Sequence, residues 1–366
     1  MRLPVPARRL GERRRERSKR MTRRAWLMAV AGTALRKQRV EEAAELVHKA
    51  TASGDVRAAV LDVRQGGYRF SRAFGQARGP ETPFLIASIS KPMTAAGVML
   101  LADRGKLALS DPVNKFIPEF AGGDRELVTV QHLLTHTSGL PDMLPENVEL
   151  RRRHAPLADF VAGACRAPLL FRPGAKVSYQ SMGILLASEI AQRITRMPFR
   201  DFLRREVFLP MGMRETSLGL GGRSIADTAQ CQVENGDDDW NWNTPYWRDL
   251  GAPWGGVHAT AGDIARFLRA FLRPDGSVLK RATAQAMTTS HTQGLNESWG
   301  LGWRLDPGAF GRGCSPRTFG HYGATGTVAW ADAATGVRCV LLTTRPADQS
   351  RAGLLGPVSD LVSERA

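Results

Sequence analysis

The stretch FLIASISKPMTAAGVMLL, residues 84–101, starts as an apolar run, breaks at Ser88-Ile89-Ser90-Lys91, meets Pro92 and resumes as a helical pattern. Lysine is seldom buried without a reason, so its position needs explaining as a cap, an accident or a reaction centre. A helix beginning near Ser88 places Ser88 and Lys91, three residues apart, on one face. Pro92 suits a first turn, where N–H groups lack acceptors within the helix, and Gly105 offers a stop after Asp103-Arg104. A serine hydroxyl becomes a nucleophile when a neighbouring base takes its proton. Lysine is such a base when burial or positive potential lowers its pKa, and an apolar helix N-terminus supplies both. On spacing alone, a helix cap with a surface lysine is the better reading. Ser90 lies one residue from Lys91 and drops out as its partner.

Two further segments add weight. In FRPGAKVSYQSMGILLASEIAQRI (residues 171–194), Pro173-Gly174 makes a turn and Tyr179 sits just ahead of a helix with a buried stripe at Ile184, Ala187, Ala191 and Ile194. A tyrosine at such a junction relays protons if a cation lowers its pKa; otherwise it is an ordinary half-buried side chain. In FGHYGATGTVAW (residues 319–330), Gly320, Gly323 and Gly326 bracket the start of a strand, where backbone can approach a ligand closely. An N–H there can pair with the Ser88 N–H as an oxyanion hole, with His321 as a donor at the rim.

The rest of the chain sets the frame. Residues 40–52 read as a helix, and two short β-type runs flank Gln65-Gly66-Gly67 as a hairpin. The C-terminal end mirrors this with a strand, a turn near Ala334-Thr335-Gly336, a strongly apolar strand 337–343 and a helix over about 352–364. Helices are expected near 90–104, 130–136, 157–165, 182–196, 199–206 and 261–272. The expected fold class is α/β of the α+β type: an antiparallel sheet from both chain ends, flanked by helices, with a mostly helical region inserted.

Of the formal charge of +16, residues 1–39 carry +12 and the remaining residues +4. The basicity therefore belongs to a tail, no nucleic-acid reader motif accompanies it, and nucleic acid is excluded as a partner. Within the tail, Thr22-Arg23-Arg24-Ala25-Trp26-Leu27 precedes a short apolar run that is too short to span a bilayer. The order of residue types resembles a twin-arginine export signal. The expected organisation is a basic tail and export signal over 1–39, initiating at Met1 or Met21, and one catalytic domain over 40–366 that works outside the cytoplasm.

The four cysteines are far apart, with no Cys-x-x-Cys pair and no histidine at ligand spacing. His132 and His136 sit one helical turn apart but lack a third ligand, and read as scaffold. Asp237-Asp238-Asp239 lacks EF-hand spacing and reads as a solvated loop. Trp240, Trp242, Trp247 and Trp254 read two ways, as a cleft wall or as packing for their own loop.

Taken together, the three segments resemble the serine β-lactamase-like and penicillin-binding-protein-like superfamily, closest to its class C β-lactamase, esterase and D-aminopeptidase branch. That family orders its motifs S-x-x-K, Y-x-N, then K-T-G or H-x-G; here they are Ser88-Ile89-Ser90-Lys91, Tyr179-Gln180-Ser181 and His321-Tyr322-Gly323. VTVQHLLTHTSGLPD (128–142), PMGMRETSL (210–218), GGVHATAGDIARFL (255–268) and WGLGW (299–303) also look like the family, so the likeness covers about 40–362. The resemblance implies a β-lactamase/transpeptidase-like fold, with Ser88 as acylated nucleophile and Lys91 and Tyr179 sharing acid–base work. It also implies an oxyanion hole from the Ser88 and Ala324 amides, a substrate side lined by Ser181, His321 and Gly323, and no metal or organic cofactor.

Two departures matter. Ser181 replaces an asparagine that helps hold a substrate amide, and His321-Tyr322 replaces the Lys-Thr that helps bind a substrate carboxylate. A neutral histidine is a weak anion partner. The expectation is a serine hydrolase taking a small-molecule or peptide substrate of ester, β-lactam or related amide type. The alternatives are a D-amino-acid peptidase or carboxypeptidase on cell-wall peptides, and a non-catalytic penicillin-binding-like protein.

Overall fold

The computed structural model describes residues 23–233 and 240–364, with backbone only over 23–35. The elements run α1 (Arg23–Ala52), β1 (Ala58–Gln65), β2 (Tyr68–Gly75), β3 (Phe84–Leu85), α2 (Ser90–Asp103), α3 (Val130–Leu134), α4 (Asn147–Arg152), α5 (Leu157–Arg166), α6 (Met182–Thr195) and α7 (Phe199–Leu203). They continue with β4 (Ser217–Leu218), α8 (Pro245–Leu250), β5 (Val257–Ala259), α9 (Ala261–Leu272), α10 (Arg281–Met287), β6 (Thr318–Gly323), β7 (Thr327–Asp332), β8 (Val337–Thr343), α11 (Ala347–Ser350) and α12 (Gly356–Ser363).

Both chain ends build one antiparallel sheet in the order β2-β1-β8-β7-β6. Side chains alternate between its faces. Ala59, Leu61 and Val63 of β1, Val328 and Trp330 of β7, and Cys339 and Leu341 of β8 pack towards α1 and α12. Val60, Ala329, Ala331, Val340 and Leu342 face the other way, into the core shared with α2, α9 and the helical region. The apolar stripe expected on α1 is there: Val40, Ala43, Ala44 and Val47 are all buried. A second, small sheet in the order β3-β5-β4 ties the segment that leads into α2 to the helical region.

Several boundaries differ from the sequence reading. The first helix begins at Arg23 and passes without a break through residue 40, and buried Arg36 donates from Nη1 to the Val362 carbonyl at 2.5 Å. The helices expected at 199–206 and 352–364 each contain a π-turn, Arg204–Phe208 and Arg351–Leu355, which periodicity does not register. Gly320 and Gly323 lie within β6, and Gly326 makes its turn to β7; the expected strand start is a hairpin. Helices α4, α8 and α10 were not anticipated, because six or seven residues carry too little periodic pattern. Asp237-Asp238-Asp239 and residues 1–22 lie outside the described residues. Among the described residues, no helix is long and apolar enough to cross a membrane.

Candidate active site

The site forms where α2 begins against the end of β6. The chain leaves β3 through Ala87, a non-glycine residue at φ +45°, and makes a 3₁₀ turn over Ala87–Ile89 before α2. A left-handed alanine is strained, and here it directs the next side chain, Ser88, out of the core. Ser88 is half-buried, while Lys91 is 0% exposed.

Lys91 Nζ lies 3.0 Å from Ser88 Oγ and donates to the Trp254 carbonyl at 3.1 Å. Thr94, one turn on, donates to the Pro253 carbonyl at 2.7 Å, so α2 grips the 253–254 backbone twice. No carboxylate forms an ion pair with Lys91 among the described residues, and burial lowers its amine to about 7, against the opposing field of Asp142. Ser90 serves the scaffold: fully buried, its Oγ accepts the Val257 N–H at 3.0 Å and fastens β5.

Tyr179 completes the group. Lys91 Nζ stands 4.6 Å from its ring centroid, and its phenol interacts with the Ser88 side chain. Burial pushes the phenol above its ordinary range, so at neutral pH it is a protonated hydroxyl. In a buried setting the two groups shift in opposite directions, the amine down and the phenol up.

The third motif is brought to Ser88 by two threonines. Thr325 Oγ1 donates to the Leu85 carbonyl at 2.6 Å, and Thr327 Oγ1 donates to the Ile86 carbonyl at 3.1 Å. Gly323 is required there, because a Cβ would collide with the Ile86 carbonyl oxygen and Thr327 Oγ1. Ala324 is exposed at the turn, beside the Ala87–Ile89 segment that β6 packs against.

His321 and Ser181 differ from expectation. His321 is buried, and its Nδ1–H donates to the Tyr322 carbonyl at 2.6 Å, leaving Nε2 as an acceptor with no partner among the described residues. It is therefore not a rim donor; burial lowers it to about 3 and keeps it neutral. Ser181 is buried and donates from Oγ to Asp142 Oδ1 at 2.7 Å, so its hydroxyl proton is already committed.

The tryptophans resolve towards packing. Trp247 and Trp254 are buried, the Arg151 guanidinium lies against the rings of both Trp240 and Trp247 at 4.3 and 4.2 Å, and Trp254 supplies the carbonyl that Lys91 uses. His132 caps α3, accepting the Thr129 N–H at Nδ1, and among the described residues no group of three potential ligands could hold a metal. Sequence reasoning missed the Trp254 carbonyl and Asp142. A backbone carbonyl leaves no trace in residue type, and Asp142 lies 37 positions before its partner Tyr179 motif begins.

The chain is 34% identical to Penicillin-binding protein 4* of Bacillus subtilis (strain 168) over 168 residues, 43% of this chain and 37% of that one. It is 33% identical to Esterase EstB of Burkholderia gladioli over 206 residues, 52% of this chain and 50% of that one. The matched region thus spans half or less of these two relatives. Among solved structures, EstCE1, described as a hydrolase with promiscuous acyltransferase activity, superposes with a TM-score of 0.74 at 21% identity over 92% of this chain and 100% of its own. The profile of the Beta-lactamase family matches residues 43–359, nearly the whole described fold including all three motifs, and the chain belongs to that family.

Proposed function

We propose that this protein is a serine hydrolase that forms an acyl-enzyme on Ser88 and acts on carboxylic esters in preference to β-lactams and peptides. The observation that carries this reading is the Lys91 amine, buried 3.0 Å from Ser88 Oγ with no ion-pair partner among the described residues. Neutral Lys91 takes the Ser88 proton as Oγ bonds to the substrate carbonyl carbon. The amides of Ser88 and Ala324 receive the oxyanion. As the carbon–oxygen bond to the leaving group breaks, Tyr179 gives its proton to the departing alkoxide and is reprotonated by the Lys91 ammonium. Water then attacks the acyl-enzyme by the same steps in reverse, releasing the acid and restoring the Ser88 hydroxyl.

The preference for esters rests on the second and third motifs. A neutral His321 with its one proton committed offers a substrate carboxylate no charge, and Ser181 is committed to Asp142. That relatives include a protein named esterase agrees with this reading. The test is to incubate the protein with a fluorophosphonate probe, a short-chain p-nitrophenyl ester and a chromogenic cephalosporin, beside Ser88→Ala. Labelling and ester turnover that vanish in Ser88→Ala are expected, with slow cephalosporin turnover. Activity independent of Ser88 would overturn the reading, and rapid cephalosporin turnover would overturn the substrate preference.

The same chain is proposed to act outside the cytoplasm. The support is the Arg23-Arg24 pair ahead of a short apolar run. Retention of an Arg23→Lys/Arg24→Lys variant in the cytoplasm, with the parent exported, is the expected result; equal export of both would refute it.

A further inference from the structure

The turn after α3 carries a histidine whose placement the acid–base group does not explain. His136 is 0% exposed and holds φ +60°, a left-handed conformation rare for a non-glycine residue. Its carbonyl accepts the Ser178 N–H at 2.9 Å, and its ring Nδ1 accepts the Gln180 N–H at 3.2 Å. These are the residues on either side of Tyr179. One residue thus binds the backbone just before and just after the tyrosine, while its ring packs against the phenol ring at 4.8 Å. The bond at Nδ1 fixes the tautomer with the proton on Nε2. That N–H has no hydrogen-bond partner among the described residues, and the ring stands edge-on to Trp299 at 4.3 Å.

The rest of the turn reinforces the grip. The Thr137 carbonyl accepts the Gly174 N–H at 2.8 Å, and the Gly139 carbonyl accepts the Leu170 N–H at 2.7 Å. Ser138 Oγ donates to Gln180 Oε1 at 2.5 Å. Four consecutive residues of the turn therefore hold the segment that delivers Tyr179, and His136 is the one that touches the tyrosine itself. A phenol that must face both Ser88 and a leaving group tolerates little displacement, since a shift of about 1 Å costs orders of magnitude in rate.

We propose that His136 is a positioning residue for Tyr179, holding the phenol in register with Ser88 for proton transfer to the leaving group. This rests on the acid role given to Tyr179 above. The left-handed backbone and the Nδ1 acceptor are the operative features. Removing the acceptor therefore impairs proton delivery while leaving the attack of Ser88, driven by Lys91, intact.

The experiment compares two esters of one acid. A p-nitrophenyl leaving group departs without a proton, whereas an ethyl ester expels an alkoxide that needs one. The readout is the ratio of kcat/KM on the two, which reports acylation. Tyr179→Phe is expected to depress the ethyl ester relative to the p-nitrophenyl ester by at least about tenfold. His136→Gly, which tolerates the left-handed backbone but removes ring and acceptor, should do the same. His136→Asn tolerates the same backbone and keeps an acceptor oxygen, and should stay within about threefold of the parent ratio.

Thermal melts certify the fold of each variant, and the p-nitrophenyl kcat/KM enters only as the denominator of the ratio. If Tyr179→Phe leaves the ratio unchanged, the acid role of Tyr179 fails, and the positioning role with it. If Tyr179→Phe shifts the ratio and His136→Gly does not, the positioning role alone fails. A His136→Asn ratio as steep as that of Tyr179→Phe overturns it as well.

Discussion

The Trp254 carbonyl oxygen and Lys91 Nζ meet at 3.1 Å, and this neutral dipole stands where a buried amine would ordinarily meet a carboxylate. A carboxylate would hold the lysine protonated, whereas a carbonyl orients it and leaves burial free to lower its pKa. The catalytic competence proposed for Ser88 thus depends on which oxygen holds its neighbour.

Activity should follow the neutral form of Lys91. With the amine lowered to about 7, kcat/KM for a p-nitrophenyl ester should rise about tenfold per pH unit below that point and level off above it. A pH–rate profile that stays flat through neutrality would remove Lys91 as the base. Lys91→Arg, whose side chain cannot deprotonate, should lose at least about a hundredfold in kcat/KM.

The same burial has a signature in stability. Between the folded value of about 7 and the unfolded value near 10.4, the unfolded chain binds a proton that the folded chain does not. Stability from this group therefore rises with pH across that window. Lys91→Met, which removes the desolvated amine, should raise the melting temperature most near pH 6, and the gain should shrink as pH approaches 10. Thermal melts across that range check the sign.

Gly323→Ala should damage catalysis out of proportion to its size. The added methyl has no room beside the Ile86 carbonyl oxygen and Thr327 Oγ1, so the end of β6 must withdraw from the Ser88 turn. Loss of an oxyanion donor costs about 10²–10³ in turnover, and strain of this kind destabilises by about 1–3 kcal/mol. Ester kinetics and a denaturant melt measure the two effects separately.

Thr327→Val tests the tie from the other side. The substitution keeps shape but removes the hydroxyl that the buried Ile86 carbonyl accepts at 3.1 Å, leaving that carbonyl the Ile89 N–H at 3.2 Å. Losing one of the two hydrogen bonds at this carbonyl costs about 0.5–1.5 kcal/mol, visible as a lower denaturation midpoint at unchanged m-value.

How much of this was legible in the sequence follows from the kind of signal each feature leaves. The paired hairpins read correctly because Gly66 and Gly336 mark turns between apolar runs. Ser88, Lys91 and Tyr179 were legible as spacing and residue type, and the structure brings them together. His321 was misread as a donor, because tautomer choice depends on the Tyr322 carbonyl, which the sequence does not display. Ser181 looked free for substrate, because the distant Asp142 that binds it is adjacent only in three dimensions. Trp254 acts through its backbone, so its side chain advertised the wrong role. Propensity and spacing carry local information, whereas partners brought in by tertiary contacts do not.

The strand order β2-β1-β8-β7-β6 has a consequence for assembly during synthesis. The strand at its centre is the last one made, residues 337–343, and its register with β1 joins Ala59 to Thr343. Until that segment leaves the ribosome, β1–β2 and β6–β7 exist only as two-stranded ribbons, which are marginal in water. The helical region between them must therefore wait, partly exposed, for a loop closure of nearly the whole chain. The protein should depend on chaperones while nascent, and deletion of even the final strand should abolish the folded state rather than trim it.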